Sequence, residues 1–375
     1  MLAIDIGSTR IKCARQVAGA REPEILRFDG VQWLASHAHV RRSSGTVVFG
    51  STALHLSQSD PAGAIEGDVL AQFAQMGSMR ISGRNIDARE LLGTLFREVR
   101  EHAIAAAKDE VAQSISDLVI AVPLGANEAA LSAFRAAAAY AGFDASRVVL
   151  VSDATAAIRG GLPAEFPAPQ RMIVIDCGGR STRWALVRRE QDDYVLDASV
   201  RPERLSDAGV CTADLEVLDR LLEADDESEG LSARDQTLAL NQIAAAREAL
   251  GAVECTFAVR LRERAFGLDS TQIRQAVRTC VIEPVLASFE RFLNAVRLQP
   301  MDPPVIMLSG GGAGAPGLRQ ALEELNVNVI VSPYADRAVV RGSLRCTAAA
   351  SPQPLPPATR TATGSNRSRG ERMER

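Results

Sequence analysis

Two short stretches carry the residues best suited to chemistry. In the first, an apolar run from Leu2 ends at Asp5, and Gly7, Ser8 and Thr9 follow before a second apolar run to Ala14. In the second, Met172 to Ile175 leads to Asp176, then to Cys177, Gly178 and Gly179, and a further apolar run ends at Val187. Each reads as a β-hairpin whose turn carries an acid and glycine. Glycine lets backbone N–H groups come close to phosphate oxygens, and an aspartate at a strand end can hold the waters of a bound Mg²⁺. A single turn of this kind reads equally well as a plain hairpin. Two of them, about 170 residues apart and each opening half of the chain, point to two similar lobes facing one shared phosphate.

A third glycine cluster, Ser309 to Pro316, lies between an apolar strand at Pro304–Leu308 and a helix from Gly317 to Leu325. Such a loop can offer N–H groups to an anion or let a flat ring lie on the backbone; a tight turn is the alternative.

The elements that must position these turns follow an α/β pattern. Asp87 with Glu90 caps a helix to about Ala107, buried through Leu91, Leu95, Phe96 and Val99. Strands at Leu118–Pro123 and Val148–Ser152 are each followed by a helix, one capped by Asn127 and one starting at Asp153 and stopped by Gly160 and Gly161. Alternating strands and helices imply a largely parallel sheet. Pro163 to Gln170 reads as a hinge. Helices are expected at Thr212–Ala224 and Asp235–Leu250, a strand at Val253–Val259, and a long helix from Ser270 or Thr271 to Val296 kinked at Pro284. His102 is expected to be a surface or packing residue.

Composition narrows the function classes. With 375 residues, 46% of them hydrophobic, the chain can fill two lobes. A net charge of −4 gives no basic face for nucleic acid. Arginine supplies nearly all the positive charge, the lysines being Lys12 and Lys108. Six dispersed cysteines without a CxxC pair suggest reduced thiols, and the four histidines lack acidic partners at zinc spacing. Met1 runs straight into the first strand, and no apolar run approaches the roughly 18 residues of a membrane span, so a cytoplasmic protein is expected. From Ser351 onward, prolines and arginines with almost nothing apolar predict a disordered tail.

In order along the chain stand Asp5 to Thr9, Val122-Pro123, Ala141 to Phe143, Thr155 to Ala157, Asp176 to Gly179, Ser309 to Gly311, and Ala338 to Gly342. That set resembles the nucleotide-binding domain of the DnaK-type heat-shock chaperones over about residues 1 to 350. The resemblance implies an actin-like ATPase fold, two RNase H-like lobes with a central nucleotide cleft. Lobe I would span 1–168, with an outer subdomain near 29–116, and lobe II 169–350, with one near 206–303. It implies ATP or ADP with Mg²⁺, a separate and unidentified protein partner, and no nucleic acid or membrane. By resemblance, Asp5 and Asp176 hold the hydrated metal. Gly7, Ser8, Thr9, Gly178 and Gly179, with Arg180 and Ser181 beside them, face the phosphates. Gly310, Gly311 and Gly312 line the adenosine, Arg247 packs beside the adenine, and Asp153 stands one methylene short of the family's water-positioning glutamate.

Several positions depart from that pattern. No Lys or Arg lies between Arg42 and Arg80, where the family's catalytic lysine is expected near Val69. Losing such a cation costs on the order of a hundredfold in rate, which points to weak or absent hydrolysis. Arg180, Ser181, Thr182 and Arg183 stand where Gly-Thr-x-Asp is expected, so Arg180 either replaces the lysine or obstructs the phosphate, and Arg183 reverses a charge near the metal. Ala313 and Gly314 replace groups that grip the base, and Ala244 replaces a ribose-binding acid. After Cys346 comes only the Pro/Arg tail, so no peptide-binding domain is expected. A nucleotide-dependent switch is therefore the leading reading. An actin-like filament or scaffold protein and a metabolite kinase on the same fold are its alternatives.

Overall fold

Strand pairing in the computed structural model repeats one topology twice. It describes residues 1–17, 19–107, 115–163, 165–191, 193–224, 231–250, 255–262, 264–297 and 305–346. The main path of the first, six-stranded sheet is β1 (Leu2–Ile6), β2 (Arg10–Arg15), β3 (Glu24–Ile25), β4 (Leu118–Val122) and β5 (Val148–Ser152), in the order β5-β4-β1-β2-β3, with Leu34–Ala35 also pairing with β2. The second, also six-stranded, runs through β6 (Arg171–Cys177), β7 (Ser181–Glu190), β8 (Asp193–Leu196), β9 (Val305–Ser309) and β10 (Asn328–Val331), in the order β10-β9-β6-β7-β8, with Glu203–Ser206 also pairing with β7. In both, the first three strands are antiparallel neighbours and the last two join in parallel.

Period-two alternation decides which face each side chain joins. On β1, Leu2, Ile4 and Ile6 enter a core with Phe96 and Val99 of the Ala88–Ala105 helix and Phe134 of the Glu128–Tyr140 helix. On β6 and β7, Ile173, Ile175, Trp184 and Leu186 enter a second core, where Phe289 meets Trp184 edge-on at 5.8 Å. The opposite faces share a third core, with Ala3, Ala14 and Ala121 from one sheet and Met172, Val174, Ala185 and Val187 from the other. The alternation therefore puts Asp5 with Ala3, and Asp176 with Val174, on faces that look into the same interior.

Two helices fill that interior, Asp153–Gly161 and Ala338–Ser343. They cross at glycines: a Cβ on Gly160 would lie 1.9 Å from the Ala338 carbonyl oxygen, and one on Gly342 would lie 1.7 Å from that of Ala156. Gly160 and Gly161 are the last two residues of their helix, as the sequence suggested, and only hydrogen at those positions lets the second helix approach.

Other expectations meet the structure closely. Asp87 accepts from the Arg89 amide, Asn127 from that of Ala130, and His102 stacks on Phe28 and bonds the Arg27 carbonyl. The long C-terminal helix starts one residue early, at an Asp269–Gln272 capping box. It passes through a π turn at Arg278–Ile282 just before Pro284, whose ring cannot sit against the preceding carbonyl of a regular turn. The strand expected at Val253–Val259 is Thr256–Leu261, and it forms a hairpin with Arg264–Asp269. The tail lies outside the described residues.

Candidate functional site

The two acid-tipped turns meet. A Cβ on Gly179 would lie 2.3 Å from Thr9 Cγ2, so the second turn touches the first only because residue 179 has no side chain. One residue on, the Arg180 amide donates to the Ser8 hydroxyl at 3.3 Å. The amides of Ser8, Thr9 and Gly179 have no partner among the described residues, leaving three N–H groups unpaired in the two touching turns. Gly7 donates to the Arg10 carbonyl and Gly178 to that of Ser181, which closes each turn.

Neighbouring glycines hold both turns in place. Gly209 precedes the Val210–Glu223 helix, and its missing side chain admits the Gly179 carbonyl, to which the Cys211 amide donates at 2.8 Å. Gly67 lies against the Ser8 carbonyl, where a Cβ would approach to 2.1 Å. Sequence reasoning singled out neither residue; a glycine just before a helical run was the available signal for Gly209.

The glycine loop after β9 abuts the second turn. Gly310 adopts φ +89°, and a Cβ there would lie 2.4 Å from Asp176 Oδ1, so residue 310 needs glycine for both conformation and space. Gly312 donates to the Cys177 carbonyl at 2.7 Å, whereas Gly311 faces open space and its amide is unpaired among the described residues. Ser309 is fully buried and its hydroxyl lacks a partner there.

Charges concentrate at this junction. Asp153, at the start of its helix, accepts from the amides of Ala154 at 2.8 Å and Leu124 at 3.2 Å and from Arg183 Nη1 at 3.3 Å. Removal from water pushes its carboxyl up to about 7, against the pull of Arg183 and with repulsion from Asp176 and Asp5 adding to the rise. Asp5 is pushed up to about 6, again mainly by loss of water; Lys12 and Arg183 oppose the shift and Asp176 reinforces it. Asp5, Asp153 and Asp176 therefore feel one another, although they come from three separate segments.

The remaining expected residues flank this centre. Arg180 turns its guanidinium toward Glu66, 3.4 Å away at the start of the Gly67–Met76 helix, the segment in which the sequence shows no lysine or arginine. Ser181, the first residue of β7, is buried. Arg247 is committed to Asp214 through two bonds of 2.7 and 3.0 Å, both side chains being buried. Its neighbour Glu248 receives Arg10 at 2.9 Å, linking the first hairpin to the Ala233–Ala249 helix, and Arg10 also lies over Trp33. Sequence reasoning missed Lys12, Asp214 and the Arg10–Glu248 link. A cavity of about 370 Å³, lined by Ala313 to Gly317 with Arg319 and Glu323, opens beside the glycine loop, away from both turns.

The arrangement suits a phosphorylated ligand: two glycine turns with unpaired amides touch each other, and a glycine loop abuts the second of them. The family model described as Hsp70 protein matches residues 69–343, which takes in the second turn, the glycine loop and both interior helices and leaves the first hairpin outside. No curated protein matches the chain. On a match that runs through most of the sequence, the chain belongs to the Hsp70 protein family.

Proposed function

We propose that this chain is a nucleotide-dependent switch that binds ATP or ADP where the two turns meet, with weak or absent hydrolysis, and acts on a separate protein partner. In this reading residues 1–168 and 169–350 form two lobes of an actin-like ATPase fold that close on the nucleotide. Gly7, Ser8, Thr9, Gly178, Gly179, Arg180 and Ser181 take the phosphates. Gly310, Gly311 and Gly312 take the adenosine, with Arg247 behind them. Arg180 stands in for the absent lysine, and Asp153 orients whatever water reaches the terminal phosphate. The contact of Thr9 with Gly179 and of Ser8 with Arg180 carries the reading, because it gathers two distant phosphate-type turns at one point.

Family membership also raises the expectation of Mg²⁺, with Asp5 and Asp176 as its holders. Neither carboxylate has an ion pair among the described residues, and Asp176 faces the Gly310 turn, so the two acids would hold the ion through its waters and the ion would offset charge on the phosphates.

Thermal unfolding of the purified chain with increasing ATP or ADP tests the nucleotide reading. Ligand at a hundredfold over its dissociation constant adds about 2.7 kcal/mol of stability. A concentration-dependent rise in midpoint is expected, and midpoints unmoved at millimolar ATP and ADP would contradict it.

A further inference from the structure

The first sheet ends at β3, and among the described residues no strand pairs with its outer edge. Leu26 donates to the Cys13 carbonyl across the sheet, so by antiparallel alternation the N–H and C=O of Ile25 point the other way, out of the edge. Neither has a partner among the described residues. On either side, Pro23 has no N–H and the Arg27 carbonyl accepts from His102, which leaves Ile25 as the place where an added strand can both donate and accept. A groove of about 530 Å³ opens along this edge, lined by residues 23 to 27 with Gln32, Ala106, Arg337 and Arg341. Ile25 packs into the core that holds the Ala338–Ser343 helix and Leu26 into the one that holds the Ala88–Ala105 helix, so a helix stands on each face of the sheet beside the groove.

The charges along the groove do not cancel. Glu24 is matched by Arg15 at 2.7 Å and Asp336 by Arg337 Nε at 3.1 Å, while Glu22 is shared by Arg341 and Arg345. Arg27 is exposed, and its guanidinium has no partner among the described residues. These groups together leave an excess of two positive charges. Arg341 also lies 3.9 Å from the ring centre of Tyr334, which is 41% exposed, and arginine with tyrosine is a pairing enriched where proteins dock. A peptide that adds to a sheet edge is held by its backbone and chosen by its alternate side chains; arginines beside the edge choose carboxylates. The chain's own C-terminal segment has the wrong sign for this, with five arginines and two glutamates after Ser351.

We infer that the open edge of β3 is a docking groove for an extended acidic segment of a partner protein, which adds to the first sheet at Ile25 and sets its carboxylates against Arg27, Arg337 and Arg341. The groove uses none of the residues assigned to the nucleotide, so the inference stands or falls independently of that reading. Fluorescence anisotropy of the full chain with a labelled peptide of about eight alternating valines and glutamates tests it, since alternation puts every glutamate on one face of the added strand. Saturable binding is expected, weakened about tenfold or more by Arg27→Glu, by Arg337→Glu, and by lysine in place of glutamate in the peptide. N-methylation of every second peptide amide, tried in both registers, should cost about tenfold or more in one of them, because it removes the donor that meets the Ile25 carbonyl. No saturation at millimolar chain, equal affinity for the acidic and basic peptides, wild-type binding by Arg27→Glu, or methylation tolerated in both registers would each overturn the inference. If Arg337→Glu fails to fold, Arg27→Glu and the peptide series still decide the matter.

Discussion

Breaking the buried Arg247–Asp214 pair gives a test whose size can be worked from the structure. The guanidinium makes two bonds, of 2.7 and 3.0 Å, to a carboxylate on another helix, and the side chains are only 5% and 6% exposed. Removing one partner from such a pair leaves a buried charge uncompensated and costs about 3–5 kcal/mol, while replacing both by apolar side chains of similar volume is often close to neutral. Arg247→Met is therefore expected to lose about 4 kcal/mol, and Asp214→Leu with Arg247→Met to recover at least half of it. The loss should depend on pH. Burial already pushes the Asp214 carboxyl up against the opposing pull of Arg247, so without the arginine the acid ionises only at still higher pH. The single variant should then be less impaired at pH 5, where more of the orphaned acid is protonated, than at pH 8. Urea unfolding followed by the fluorescence of buried Trp184 measures all three proteins. With a slope of about 3 kcal/mol/M, a loss of about 4 kcal/mol lowers the midpoint by about 1.3 M. A shift below about 0.3 M, or a double variant no better than the single one, would show that this pair is not the closed, dry contact described.

Three further outcomes follow from the same geometry. Asp153 and Asp5 titrate higher in the folded chain, at about 7 and about 6 against 3.8, so folding takes up protons and stability should fall as pH rises from about 4 through 7. Asp153→Asn should flatten that slope, and a wild-type urea midpoint that climbs between pH 5 and pH 8 would contradict the assignment. Gly342→Ala forces a methyl onto the Ala156 carbonyl and should cost about 3 kcal/mol or abolish soluble expression. Gly314→Ala, with nothing within 4 Å, should be nearly silent in the same unfolding assay, and equal costs at the two sites would refute the packing argument. Gly179→Ala should weaken ATP binding by pushing Thr9 aside, and Thr9→Ala in the same chain should restore much of it; a double variant as weak as the single one would show that the turns do not touch in solution.

Much of the site was readable from local pattern alone. Asp5 and Asp176 stand out because each ends an apolar strand and precedes glycine, and period-two alternation then fixes the face on which the acid lies. What the sequence hides is non-local. Lys12 and Arg183 become cross-strand neighbours of Asp5 and Asp176 only once the turn length sets the hairpin register, and Asp214 lies 33 residues before the arginine it binds, on a different helix. Gly160 and Gly161 end their helix as their propensity suggests, but their second role, admitting the Ala338–Ser343 helix, is a tertiary contact that local pattern does not reveal. Arg264–Asp269 carries a glycine in mid-strand and ends in a helix cap, so its pairing with Thr256–Leu261 left little trace in the pattern.

The central claim is that one nucleotide sits between both turns, and hydrogen–deuterium exchange with and without saturating ATP tests it most directly. The account predicts slower exchange in three separate segments at once, the hairpins at residues 2–15 and 172–187 and the glycine loop after β9. Protection confined to one hairpin, or absent from both while ATP is bound, would contradict it.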